Sequence, residues 1–267
     1  MSTAVEAEAA WFTCTDPRPM YTLLRGKERG RKFRLYASAC CRRVAHLLTD
    51  DRSHLALDMF ESFLDGELTL TEYAIGEREA AEACAAQARI AGGNESASRI
   101  AEADRVRLFA SMFAAQAVTD CFGSVSSAPA DCCGALRGYG TAELTDDGQL
   151  RDVGERIETA ERAAQAALLR DIFGNPFNPV AFEPAWRTGP AVALARKMYE
   201  SRDFGAMPDL AEELLDAGCE SEPVLNHCRY SSLQAAELSG SPTTGHGSRA
   251  CPHVRGCWVV DLLLSKG

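Results

Sequence analysis

The feature that most constrains this chain is the spacing of its apolar residues. From residue 31 to about 50, Phe33, Tyr36, Ala37, Cys40, Val44, Leu47 and Leu48 recur at three- and four-residue steps. That spacing lays one apolar stripe along an α-helix and leaves Arg34, Ser38 and Arg42 on its solvent side. The same spacing returns along most of the 267 residues, and the composition supplies it: 43 Ala and 26 Leu stand against 12 Val and 5 Ile. β-Branched side chains lose χ1 freedom in helices and pack well in strands, so this imbalance favours helix. The expected fold is all-α, an irregular helical bundle with Pro/Gly-rich connectors and two long loops, which excludes an all-β or parallel-sheet enzyme.

Capping and breaking residues divide the pattern. A short segment carrying Trp11 and Phe12 precedes Thr15-Asp16-Pro17, which offers a side-chain cap and a proline for the first turn of a short helix. The helix over 31–50 is followed by a second from Asp51 or Ser53 to the Asp65-Gly66 break, giving a hairpin. Thr69-Leu70-Thr71-Glu72 has the spacing of a capping box, so a long Ala-rich helix starts there and halts near Gly92-Gly93-Asn94. A further helix is expected over 96–122. Residues 123–150, rich in Gly, Ser, Pro and Asp around Cys132-Cys133, are expected to be a loop or linker.

From Arg151 the stripe resumes through Ile157, Ala160, Ala164, Ala167 and Leu168 and ends at Phe173-Gly174-Asn175-Pro176, where glycine caps and proline forbids continuation. Pro176, Pro179 and Pro184 dictate an extended connector pinned by Phe177, Val180, Phe182 and Trp186. Shorter helices are expected over 191–201, 208–217 and 222–227, then an aperiodic polar stretch over 229–252 and a closing helix over 254–264. The organisation reads as an N-terminal helical region (1–122), a linker (123–150) and a C-terminal helical region (151–267), or the two regions as one continuous domain.

Charge is unevenly spread. The formal net charge is -10, yet residues 25–43 hold eight Lys or Arg against Glu28 alone, so this segment is +7 and the remainder -17. An acidic whole does not attract nucleic acid or anionic membrane over its entire surface, but the basic face of Arg31, Arg34 and Arg42 can dock an acidic protein or, as a third reading, a nucleic-acid backbone. The alternative is that these arginines meet the acidic remainder of their own chain. Eleven cysteines, an odd number spread through the chain, fit a reducing cytoplasm rather than a disulfide framework. The start lacks a basic segment and no apolar run reaches about 18 residues, so neither export nor a membrane span is expected.

Chemistry-bearing residues gather late. Cys219, His227, Cys228, Cys251, His253 and Cys257 are six soft or borderline ligands. Zinc takes four such donors, and on a helix His253 and Cys257 would share one ion, whereas adjacent His227 and Cys228 point about 100° apart. The set this spacing favours is Cys219, Cys228, His253 and Cys257. No Cys-x2-Cys knuckle is present, and the competing reading makes these cysteines buried packing groups. Cys40-Cys41, beside Arg42 and Arg43, admits a redox reading, but Cys40 falls on the apolar stripe, which favours core packing. His46 and His54 read as surface or boundary residues, and His246 lies between glycines in the polar stretch. Walker, dinucleotide, Gly-x-Ser-x-Gly and His-Glu-x-x-His patterns are missing, and Glu212-Glu213 and Asp146-Asp147 read as solvated faces, so no catalytic residue is assigned.

Several blocks, CTDPRPM (14–20), KFRLYASACCRRVAHLLTDDRS (32–53), LLRDIFGNPFNPV (168–180), DAGC (216–219), NHCR (226–229) and HVRGCWVVDLLL (253–264), resemble in order and spread an uncharacterised bacterial helical protein family. The resemblance covers most of the chain and implies a bacterial, intracellular, helical protein, with no reaction and no catalytic residue attached. In that family HVRGCW follows NHCR within a few residues. Here residues 230–252 intervene as a polar insertion, which loosens the tether between the two halves of the Cys/His cluster.

The leading functional expectation is a non-enzymatic protein-interaction or regulatory module, with an unknown protein as partner and Arg31, Arg34 and Arg42 as its contact residues. The alternative is a zinc-binding or thiol-dependent protein built on Cys219, Cys228, His253 and Cys257. No other cofactor is expected.

Overall fold

The computed structural model describes residues 2–24, 30–92, 101–229 and 253–266, and among these the regular structure is helical throughout, with twelve α-helices and no strand. The chain divides into two packed units.

The first unit comprises Cys14–Thr22 and Glu28–Ala166. It holds α2 (Pro17–Leu23), α3 (Arg31–Arg43), α4 (Asp51–Leu64), α5 (Leu70–Gly92), α6 (Glu102–Phe122), α7 (Ala128–Thr141) and α8 (Asp147–Phe173) as far as Ala166. The helix starts follow the sequence signals. Asp16 Oδ1 accepts from the Arg18 amide at 2.9 Å, and Asp50 Oδ1 from the Arg52 amide at 3.0 Å. Thr69 and Glu72 close the capping box reciprocally, at 2.8 and 3.3 Å. The α4–α5 turn needs Gly66, whose φ of +76° is costly for any residue with a Cβ.

Two expectations are corrected here. Residues 123–150 are not a loop throughout, because 128–141 form α7, with Cys132 and Cys133 buried on it. Pro129 sits in the first turn, where a missing N–H costs nothing, and the glycines lie on helix faces rather than at a chain reversal, with only Gly140 so close to a neighbour, Ile157, that a Cβ would clash. A Cβ at Gly138 would lie 3.5 Å from Ala110 Cβ, and one at Gly134 3.8 Å from the Phe113 ring. The second correction concerns α3, which ends at Arg43 and passes into a single 3-10 turn, Ala45–Leu47. Its supposed wet side is also partly turned inward: Ser38 is buried and donates to Glu61 Oε1 on α4, because α4 presents that carboxylate to it.

The second unit comprises Met1–Thr13, Leu23–Lys27 and Ala167–Gly267. It holds α1 (Ser2–Thr13), the end of α8, a 3-10 turn Pro184–Trp186, α9 (Gly189–Ser201), α10 (Met207–Asp216), α11 (222–229) and α12 (Trp258–Leu264). A 12-residue helix such as α1 is marginal alone, so its order comes from Trp11. That ring is fully buried, and its Nε1 donates to Gly174 O at 2.9 Å while Arg170 Nε donates to Trp11 O at 3.0 Å. Burying an indole contributes at most about 4–6 kcal/mol, enough to fasten α1 to the end of α8. Around α9 to α12 the core gathers Met198, Tyr199, Phe204, Leu210, Leu214 and Val259. The proline connector is pinned by Trp186, buried edge-on to Phe182 at 5.2 Å.

The closing helix starts at Trp258 rather than at residue 254, because Gly256 adopts φ +98° and the Cys257 amide closes a turn onto Val254 O at 2.9 Å. No described helix is long and apolar enough to cross a membrane.

Candidate metal centre

Three pieces of the second unit converge on one buried point. α8 reaches its last turn at Asp171, and Gly174 then stops it: φ is +64°, and a Cβ there would lie 3.1 Å from the Trp258 ring. α11 contributes His227, and the turn before α12 contributes His253 and Cys257. One donor atom from each of Asp171, His227, His253 and Cys257 lies within 4.8 Å of every other. Asp171, His253 and Cys257 are buried, and the His227 side chain is 18% exposed.

His227 Nε2 stands 3.2 Å from Asp171 Oδ1 and 3.2 Å from Cys257 Sγ. His253 Nδ1 stands 2.5 Å from Asp171 Oδ1 and 3.7 Å from Cys257 Sγ. The other carboxylate oxygen, Asp171 Oδ2, accepts from the Val254 amide at 3.0 Å. This bond fixes the carboxylate so that a single oxygen faces the cluster. Trp258 packs on the His227 ring with centroids 5.1 Å apart, and Phe204 flanks His253 at 6.5 Å, so the surround is apolar.

Which nitrogen each imidazole uses decides what this arrangement can do. In a thiol–imidazole–carboxylate relay the ring bridges its partners with two different nitrogens, one taking the thiol proton and the other held by the acid. Here each ring turns one and the same nitrogen to both Asp171 and Cys257. That is convergence on a point, as in a coordination shell. A zinc ion bonded to N, O and S donors at about 2.0–2.3 Å sets them about 3.3–3.6 Å apart. Three of the four imidazole distances to Asp171 and Cys257 are close to that, the hydrogen bond of 2.5 Å between His253 and Asp171 has to open by about 0.8 Å to admit an ion, and the remaining pairs lie within 4.8 Å.

The electrostatics suit a cation. Burial acts to raise the Asp171 carboxyl, but the charge of His253 and hydrogen bonds from His227 and His253 overcome it and hold the group well below the usual carboxylate range. Burial pushes the His227 imidazole down despite Asp171. It also drives the Cys257 thiol well up, with Asp171 adding to the effect. A cation bound here therefore displaces a proton from Cys257.

Of the ligands named from sequence, His253 and Cys257 belong to the cluster, meeting through the Gly256 turn instead of along a helix. Cys219 and Cys228 are fully buried thiols outside the four, Cys228 pushed up to about 12 by burial. His227 takes the place of its neighbour Cys228, and Cys251 lies outside the described residues. Sequence reasoning missed Asp171, although the signal was present. Stepping four residues from Ala167 or three from Leu168 lands on an acid in the apolar stripe. Cys219, Cys228 and Cys257 are all fully buried in the core of the second unit, and Cys257 in addition contacts the His227 and His253 rings.

The arginines described in the basic segment, from Arg31 to Arg43, are engaged in the first unit. Arg31 Nη2 lies 2.8 Å from Asp65, and Arg42 contacts Glu61 at 2.9 Å and Asp58 at 2.6 Å. Arg43 meets Glu161 at 2.8 Å. Arg34 borders a shallow cavity of about 470 Å³ with Phe33 and Phe63. His46 is exposed and His54 partly buried. No protein-family profile, curated protein or solved structure matches this chain.

Proposed function

We propose that this is a metal-binding protein whose second unit is held together by one structural zinc ion on Asp171, His227, His253 and Cys257. The observation that carries this reading is the convergence of four donor atoms within 4.8 Å, each imidazole offering the same nitrogen to both neighbours. Two imidazoles, one thiolate and one carboxylate form a borderline donor set that suits zinc. Four protein donors fill a tetrahedral shell and leave no position for water or substrate, so the ion ties the end of α8, α11 and the turn before α12 to one another. A closed site of this kind supports an interaction or regulatory module more than an enzyme. The ligands fall within LLRDIFGNPFNPV, NHCR and HVRGCWVVDLLL, three of the blocks that carry the family resemblance. The ten free cysteines among the described residues support a reducing compartment, the cytoplasm.

Elemental analysis of the purified full-length protein tests the proposal. The expected result is one zinc per chain, and after cobalt substitution the visible bands of a tetrahedral ion with a thiolate charge-transfer band in the near ultraviolet. Cys257→Ser loses that band, and His253→Ala loses the stoichiometric metal. A folded chain that takes up neither ion at micromolar concentration, with its thermal midpoint unmoved by zinc, overturns it.

A further inference from the structure

The first unit contains a second group of sulfurs, independent of the metal centre. Cys41 on α3, Cys121 on α6 and Cys132 on α7 are fully buried. Cys41 is the hub: its Sγ lies 3.5 Å from Cys121 Sγ, and it also hydrogen-bonds the Cys132 thiol. We propose that Cys41 and Cys121 are a redox pair that a peroxide converts to a disulfide linking α3 to α6.

The geometry carries the pairing. The two sulfurs are already in van der Waals contact, and a bond of about 2.05 Å brings them roughly 1.5 Å closer, within the reach of side-chain rotation on two helices that pack together. The electrostatics assign the order of events. Hydrogen bonds from Cys121 and Cys132, with the charge of Arg42, hold Cys41 below its ordinary value against burial. The same hydrogen bonds, with burial, push Cys121 and Cys132 well up. Of the three thiols Cys41 is thus the one that gives up its proton most readily, and a thiolate is the species that attacks an oxidant.

The chemistry closes without another reagent. The Cys41 sulfur attacks one peroxide oxygen: an S–O bond forms, the O–O bond breaks, and the departing hydroxide takes a proton to leave as water. The Cys121 sulfur then attacks the Cys41 sulfenic acid, the S–S bond forms, the S–O bond breaks, and the Cys121 proton leaves with the second water. Two thiols are oxidised and one peroxide is reduced to two waters. Hydrogen peroxide is small enough to reach this position through local opening of the helices.

The experiment uses the full-length protein treated with hydrogen peroxide, its remaining thiols alkylated in denaturant, and a tryptic digest analysed without reduction. The expected result is the loss of two of the eleven thiols and a link between peptides 35–42 and 108–137. Fragmentation should place the link at Cys41 and Cys121. Dithiothreitol restores both thiols, and the oxidised protein melts several degrees higher, as a cross-link between helices predicts. Cys40→Ala, which removes the other thiol of peptide 35–42, keeps the link, and Cys121→Ala loses it. If Cys121→Ala fails to fold, the wild-type map decides alone. Full alkylation of Cys41 and Cys121 at a peroxide dose that has oxidised Cys14 or Cys84 overturns the proposal, as does a link from Cys41 to Cys132.

Discussion

Replacing Arg42 with methionine tests whether the basic segment serves the fold. Arg42 Nε and Nη2 donate to Glu61 at 3.0 and 2.9 Å, and Nη2 also reaches Asp58 at 2.6 Å. The Glu61 side chain is 3% exposed and that of Arg42 27%. Removing one partner of a fully buried pair costs about 3–5 kcal/mol, because a charge is left in a poor solvent. Water at the outer edge of Arg42 screens part of this, which brings the expectation to about 2–3 kcal/mol. Methionine keeps most of the stem and so isolates the guanidinium. Glu61→Gln in the same background removes the stranded charge, so the double variant should recover about 1.5 kcal/mol relative to the sum of the singles. Urea unfolding with an unchanged m-value reads both quantities. A loss below about 0.5 kcal/mol for Arg42→Met, or additive singles, would show that the pair is a solvated surface contact and would return Arg42 to the candidates for partner binding.

Other consequences are open to measurement. Asp171→Asn keeps the shape of the carboxylate and removes its charge, so zinc affinity, read by competition with a chromophoric chelator, should fall at least about 100-fold while the fold persists at saturating zinc. Gly174→Ala combines φ +64° with a Cβ 3.1 Å from Trp258, and should cost about 2–3 kcal/mol in thermal or urea unfolding; a neutral result would refute the cap geometry. Burial and the charge of Asp120 push Asp131 up to about 7, so the folded state keeps a proton that the unfolded chain releases near pH 4. Stability should then be full below pH 4, decline as pH rises toward 7 and level off above it. Asp131→Asn should flatten that slope and stabilise the protein at pH 8 by about 1–2 kcal/mol, after allowance for the partial exposure of the group; an unchanged slope would place the titrating group elsewhere.

Helix spacing was legible wherever an apolar stripe ran against a wet face, as in α4 and α8, and capping chemistry marked the starts at Thr15-Asp16-Pro17 and Thr69, whereas the Asp50 cap was not singled out. It failed where residues carried a second role. Gly134, Gly138 and Gly140 look like loop residues but sit on a helix face, Gly134 and Gly138 against α6 and Gly140 against Ile157 of α8. Trp11 belongs to a helix too short to declare itself, and a partner 163 residues away holds it. At the candidate metal centre, His253 and Cys257 could be read because four-residue spacing is local. Choosing His227 over Cys228 depended on which side of α11 faces Asp171 and Cys257, since Cys228 is buried as well, and recruiting Asp171 depended on a contact 82 residues long. The intervening residues 230–252, outside the described residues, do not prevent His227 from meeting His253 and Cys257.

The neighbours of buried acids bear on the proposed metal. Three acids of the first unit have a permanent cation beside them: Glu61 has Arg42, Glu161 has Arg43 and Asp65 has Arg31. A guanidinium stays charged at any accessible pH, so those carboxylates are neutralised by the fold itself. Asp171 is as deeply buried, yet the donors grouped around it are two imidazoles and a thiol, none of which carries a fixed positive charge. Burial opposes charging His227 and the Cys257 thiol can add only negative charge, which leaves a charge on His253 as the main one that holds the Asp171 carboxyl low. The proposed divalent cation, at the point where the four donor atoms meet, would supply at Asp171 what arginine supplies at the other three carboxylates. It would also account for an acid placed on the apolar stripe of α8, a position that burial disfavours by several kcal/mol unless a cation is near.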